Sequence, residues 1–270
     1  MTPLDLLDTG EITVEGRVVA ASNLTLYARV DAPDGQTMPC VYKPVSGERP
    51  LWDFPHGTLA ARERAAFLVS EAGGWHLVPP TVVREGPLGV GMCQQWVLAD
   101  DENDQNDASA DDTTWVDLLD GAAAQRAGWL PVVRGRDEAG REVTLVHRDD
   151  EALRAMALLD AVLNNADRKG GHLLTGTRGS LFGVDHGLCC HEEPKLRTVL
   201  WGWRGQPLTD AERVQLSCVA RWLERPDDEL AWLLTAAEVE AMRSRVHDLE
   251  TIGRLPGPSG SWPAIPWPAF

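Results

Sequence analysis

The chain has 270 residues, of which 43% are hydrophobic and 24% charged, and its formal net charge is −16. That length suffices for one large domain or two lobes around a sizeable core. The acidic balance excludes a general nucleic-acid binder, which needs Lys and Arg against phosphate, and it disfavours docking on an anionic membrane.

The opening MTPLDLLDTGE is acidic and has no basic-then-apolar signal region, and no apolar run is long enough to span a bilayer, so a cytoplasmic protein is expected. An odd set of five cysteines without C-x-x-C spacing predicts reduced thiols. Scarce lysine beside abundant Ala, Arg, Asp and Trp points to a high-GC bacterial source.

From Gly16 to Val45 two β-rich runs are joined at Asp34-Gly35, a hairpin signal. Thr58 to Glu71 has helical spacing, with Leu59, Ala66, Phe67 and Val69 apolar and Gly73-Gly74 as the stop. Val78 to Ala99 predicts two more strands around Glu85-Gly86, which makes a small sheet with one inserted helix. Asp100 to Thr114 carries seven acids and no base, a solvated loop; it lacks the EF-hand spacing that calcium would need.

Beyond the loop, Trp115 to Trp129 reads as a short helix and Pro131 to Arg148 as a hairpin around Glu138-Ala139-Gly140. Asp149 to Asn164 predicts a core helix with acids at its start. Two further helices are expected over Thr209 to Glu224, which opens close to a capping box, and over Pro226 to Asp248. The Pro- and Trp-rich residues 251–270 are either disordered or extended against an apolar groove.

Phosphoryl transfer needs a cover over the phosphates, a cation on them, metal ligands, and an acid that orients the acceptor hydroxyl. In chain order the candidates begin with Ser22 and Asn23, at a small polar hairpin tip whose backbone N–H groups could approach phosphate. Lys43, in the strand VYKP, would contact phosphate, and Glu63 on the following helix would hold it. Each alone reads equally well as a surface residue.

In LNNADRKGGHLLTGTRGSLFGVDHG, Asp167 is the candidate acceptor-orienting acid. Arg168 would anchor the loop or screen developing charge. Gly170-Gly171 would let His172 turn back into the site, and Asp185 would bind a metal. Taken singly, Asp167 reads as well as a solvated loop charge and Asp185 as a plain turn, and it is the ordered set that favours phosphoryl transfer. HGLCCH offers soft metal ligands, but adjacent cysteines fit one zinc poorly, so inward packing is favoured there.

At these residues the chain resembles the phosphatidylinositol 3-/4-kinase superfamily, most closely the type II phosphatidylinositol 4-kinase branch, as an actinobacterial member. The carrying segments are VYKPVSGERP, RERAAFLVSEAGGWHLVPPTVV, CQQWV, LLDAVLNNADRKGGHLL and GVDHG, in order over roughly residues 11 to 190. The resemblance implies an α+β, bilobal, protein-kinase-like (atypical kinase) fold. Its parts would be a β-rich N-lobe over 1–99, an acidic loop over 100–114, a mainly helical C-lobe over 115–250 and a tail over 251–270.

It further implies that Lys43 is the phosphate lysine with Glu63 as its helix partner, that Gln95, Trp96 and Val97 hold adenine, that Asp167 is catalytic, and that Asp160 gives structural support. Asp185 would bind Mg²⁺ or Mn²⁺ beside ATP. His172 stands where the family has a metal-binding Asn, which bears on metal preference because imidazole suits Mn²⁺ or Zn²⁺ better than Mg²⁺. The expected activity is ATP-dependent kinase action on a small-molecule or protein hydroxyl. The alternatives are a pseudokinase or scaffold with little turnover, and AMP transfer on the same fold.

Overall fold

The computed structural model describes residues 1–19, 22–98, 114–121, 123–225, 228–260 and 262–270. The acidic stretch 100–113, with the calcium question attached to it, and Ala21 of the expected hairpin tip lie outside them. The architecture is mixed α+β.

A short helix that the sequence reading overlooked, α1 (Pro3–Thr9), is started by a Thr2–Asp5 capping box. Strands β1 (Glu11–Arg17), β2 (Leu26–Asp31), β3 (Thr37–Pro44), β4 (Thr81–Gly86) and β5 (Gly89–Gln95) then form an antiparallel sheet. Its order is β1-β2-β3-β5-β4. The β2–β3 turn falls at Asp34-Gly35, where Gly35 takes φ +87°. Alternation along β3 buries Met38, Cys40 and Tyr42 with Leu6 and Leu7 of α1, and so leaves Lys43 on the opposite face.

Helix α2 (Leu59–Ala72) is inserted between β3 and β4 and packs on β4 and β5. Its N-cap Thr58 makes no side-chain cap, and Glu48 does that work instead. The Glu48 carboxylate accepts from the amides of Leu59 at 3.2 Å and Ala60 at 3.0 Å, a negative charge on the positive end of the helix. Glu48→Ala is expected to lower stability by about 1 kcal/mol, read as a lower urea midpoint with an unchanged slope.

A second antiparallel sheet of order β6-β8-β7 is built from β6 (Val116–Asp120), β7 (Trp129–Arg136) and β8 (Glu142–Arg148). Here the expected helix over Trp115 to Trp129 is corrected. Val116 to Asp120 pairs with Val143 to His147, and only a 3-10 turn at Ala123–Gln125 remains helical. The hairpin reading of the next segment agrees with β7 and β8, whose turn contains Gly140 at φ +78°.

Helix α3 (Glu151–Leu163) runs through the main core, with Leu153, Met156, Leu158, Leu159, Val162 and Leu163 fully buried. The Asp150 carboxylate caps it, and Asn164 ends it in the left-handed region at φ 53°. A small hairpin, β9 (Leu173–Thr175) with β10 (Leu181–Gly183), follows. Helix α4 (Asp210–Glu224) opens on a complete Thr209–Glu212 capping box. The single helix expected over Pro226 to Asp248 is in fact two, α5 (Asp228–Leu233) and α6 (Ala236–Ile252). The break comes at Thr235, which forms its own capping box with Glu238.

The five cysteines carry no disulfide. Among the described residues no helix is long and apolar enough to cross a membrane.

Candidate functional site

Residues from four separate segments meet at the face of the first sheet that carries Lys43. Lys43 Nζ lies 2.8 Å from Glu63 Oε1 and also donates to Asp185 Oδ1. The other Glu63 oxygen accepts from the His186 amide at 2.9 Å. Glu63 thus holds both the lysine and the backbone just past Asp185. Asp185 itself sits at φ 59°, and this left-handed turn sends its carboxylate toward Lys43 while the next amide reaches Glu63.

Electrostatics follow from that packing. Burial works against the charged lysine, but Glu63 and then Asp185 outweigh it and raise Lys43 above its ordinary value. Burial would likewise raise Asp185, yet Lys43 and then His172 hold it well below the ordinary carboxylate range. His172 Nε2 is 3.6 Å from Asp185 Oδ2. Burial lowers His172 to about 4, so near neutral pH it is an uncharged imidazole. Its Nδ1 is buried and finds no hydrogen-bond partner among the described residues.

Asp167 stands beside this cluster. Its amide donates to Asn165 Oδ1 at 3.0 Å, and its carboxylate lies 3.1 Å from Lys169 Nζ. Burial raises its pKa, and Lys169 and Arg197 pull it back. Lys169 was missed at the level of sequence. The available signal was scarcity, because it is one of three lysines in the chain and sits two residues beyond the candidate acid.

Of the two roles expected for Arg168, its packing is that of the anchor. Its side chain is fully buried and paired with Asp160, at 2.9 Å from Nε to Oδ2. It also donates to the carbonyls of His172 and Val184 and to His186 Nε2. One guanidinium therefore ties α3 to the backbone on both sides of the β9–β10 hairpin. Asp160, expected as a support, takes a further bond from Asn165 Nδ2 at 2.9 Å. Gly183 permits this closeness, since a Cβ there would lie 2.7 Å from Met156 Cε and 3.1 Å from Arg168 Nη2.

The arginines flanking Glu63 are structural. Arg62 is 1% exposed, donates to the Cys189 carbonyl at 2.7 Å and pairs with Glu238 of α6. Arg64 forks onto Glu229 of α5 at 2.7 and 3.0 Å. Both fasten α2, and with it Glu63, to the helices below.

The remaining expected residues are not brought into contact with this cluster. Ser22 is exposed, and Asn23 Oδ1 accepts from the Arg49 amide at 2.9 Å, which ties the β1–β2 connection to the turn after β3. Gln95, Trp96 and Val97 continue β5, all half-buried. The amides of Gln95 and Trp96 donate to the carbonyls of Pro80 and Pro39, and Trp96 packs edge-on to Tyr27 with centroids 4.9 Å apart. In HGLCCH both cysteines are buried, and among the described residues no group of three or more His, Cys, Asp or Glu is arranged to hold a metal.

No family model matches the chain. It is 50% identical over 268 residues to Protein Rv2133c of Mycobacterium tuberculosis (strain ATCC 25618 / H37Rv), an alignment that covers 98% of this chain and 94% of that protein. The alignment extends over nearly the whole chain, and the chain belongs to the family of Protein Rv2133c.

Proposed function

We propose that this protein is an ATP-dependent phosphotransferase with a two-lobed, protein-kinase-like fold, acting on a hydroxyl of a small molecule or protein. The observation that carries the reading is the buried Lys43–Glu63 pair closed by Asp185, drawn from a strand, a helix and a post-hairpin turn far apart in sequence. A lysine fixed by a helix carboxylate is what phosphate needs, a point charge that does not wander. The five-stranded sheet with its single inserted helix supports the N-lobe assignment.

Asp185 and His172 are the residues that would hold a divalent cation. A carboxylate and a neutral imidazole nitrogen 3.6 Å apart fit one coordination sphere, and the unpartnered His172 Nδ1 leaves the ring free to adjust. The bound cation would supply charge neutralisation on the phosphates. Lys43, released from Asp185 by a nucleotide, would turn to the phosphates while Glu63 keeps it in place. Asp167, its pKa raised by burial, orients the acceptor hydroxyl and takes its proton, and Lys169 screens the charge there.

Calorimetry with a non-hydrolysable ATP analogue and Mg²⁺ or Mn²⁺ tests this. Wild type should bind, Asp185→Ala should bind at least about tenfold more weakly, a loss of about 1.4 kcal/mol, and Mn²⁺ should serve better than Mg²⁺. Absent binding in both proteins, or equal binding, sinks the proposal. His172 favours one second reading, a nucleotide-binding pseudokinase. ATP binding without ADP formation would select it, whereas ADP formation abolished by Asp167→Ala would eliminate it.

A further inference from the structure

Residues 262–270 run from Trp52 and Lys195 past Thr198 to Gly170 of the candidate catalytic loop. Trp262 stacks on Trp52 with centroids 5.9 Å apart and covers the Lys195 ammonium at 4.4 Å. Two residues on, the Ala264 carbonyl accepts from the Thr198 amide at 3.2 Å and from Trp201 Nε1 at 2.8 Å. Ile265 packs on the main core and Pro266 is buried. This first half is firmly seated, and of the two states expected for the segment it takes the extended, docked one.

The second half is held differently. Trp267 is 87% exposed and Phe270 49% exposed. The Ala269 carbonyl accepts from the Gly170 amide at 2.8 Å. The Phe270 ring rests on Gly170, where a Cβ would come within 2.8 Å of it and 3.3 Å of Val116 Cβ. Gly170 is three residues beyond Asp167 (170 − 167). The ring therefore fills the space between the catalytic loop and the start of β6, and the absence of a side chain at Gly170 is what admits it.

We infer that residues 267–270 form a lid over the catalytic loop, hinged at Pro266–Trp267, closed in this structure and lifted when an acceptor approaches Asp167. The inference rests on the reading of Asp167 as the acceptor-orienting acid. Physically the asymmetry of the two halves carries it. The seated half has two side-chain anchors, a buried proline and a doubly bonded carbonyl, whereas the covering half has one hydrogen bond, the small Ala269 side chain against the core and one half-exposed ring. Segments with few buried contacts open locally without global unfolding.

Hydrogen–deuterium exchange on the full chain, paired with ADP formation, tests it. Phe270→Ala should speed exchange of the peptide spanning 167–172 several-fold, leave the thermal midpoint unchanged, and raise ADP formation. Gly170→Ala should expel the ring from the other side and speed exchange over 267–270. Unchanged exchange in both variants, or a Phe270→Ala protein with a lowered midpoint and global exchange, overturns the lid in favour of a structural strut. Faster loop exchange with reduced ADP formation also overturns it, since the segment would then be part of the working site. If wild type binds no nucleotide at all, the functional proposal fails by itself while exchange still scores the lid.

Discussion

Replacing Arg168 by Met should lower the stability of this protein by about 3–5 kcal/mol, the usual cost of leaving one member of a buried ion pair uncompensated. Asp160 is 0% exposed, and in the variant its carboxylate would keep only Asn165 Nδ2 among its side-chain donors. The carbonyls of His172 and Val184 would lose a donor as well. The double variant Arg168→Met with Asp160→Leu should be more stable than the single one, because removing both charges removes the uncompensated one. Urea unfolding of wild type, both singles and the double checks this. A single variant within about 1 kcal/mol of wild type, against the expectation for a buried pair, would show that the pair does not hold the loop.

The same pair links stability to the site. Arg168 bonds the backbone on either side of the β9–β10 hairpin, at His172 and at Val184, immediately before Asp185. Backbone bonds support the same link: the Ala166 amide donates to the Leu188 carbonyl at 2.9 Å and the Val184 amide to the His172 carbonyl at 3.0 Å. Arg62 and Arg64 do the corresponding work for Glu63 from the helices below. The ionic residues nearest the cluster are thus divided. Lys43 and Asp185 pair at the cluster with Asp167 beside them, and a buried set of arginines spends its charge on framework carboxylates and carbonyls.

That division explains what the sequence made legible. Local signals were strong where a short-range interaction decides the outcome. Asp34-Gly35 sets a turn, Thr209 with Glu212 closes a capping box, and Asp150 caps α3. The Lys43–Glu63 pairing was readable because strand and helix are consecutive elements. The segment from Trp115 to Trp129 misled because its pairing partner, Val143 to His147, lies more than twenty residues on, and a local pattern cannot express that contact. The break at Thr235 was readable in Thr-x-x-Glu and was overridden by the longer helical pattern around it. Arg168 could not be assigned from its neighbour Asp167. Its true partner, Asp160, is eight residues earlier on a helix whose inward face only the folded core defines.

Acidification should unfold this protein through its histidines before its carboxylates. His147, His172 and His186 are all held neutral. Burial lowers His147 and His172 to about 4 each, and burial followed by Arg168 lowers His186. The hydrogen bonds agree. His147 Nδ1 faces the Arg148 carbonyl at 2.8 Å while Nε2 accepts from the Gly202 amide at 2.9 Å, so a second proton would oppose an existing N–H. His186 Nε2 accepts from Arg168 and cannot take a proton without facing a guanidinium. With folded pKa values below the unfolded value of about 6.5, the unfolded chain binds more protons between about pH 6.5 and pH 4. Stability is therefore full above that window and is lost as pH falls through it. His147 and His172 contribute about 3 kcal/mol each across the window, and His186 adds in the same direction, against a total of about 5–15 kcal/mol for a typical fold. Asp185, held low by Lys43, loses its contribution only at still lower pH. Thermal midpoints should be flat from pH 8 to pH 7 and should fall steeply below about pH 6.5. In His147→Gln the slope of stability against pH should be shallower by about 1.4 kcal/mol per pH unit, the share of one proton. An unchanged slope in that variant would assign the acid transition to other groups.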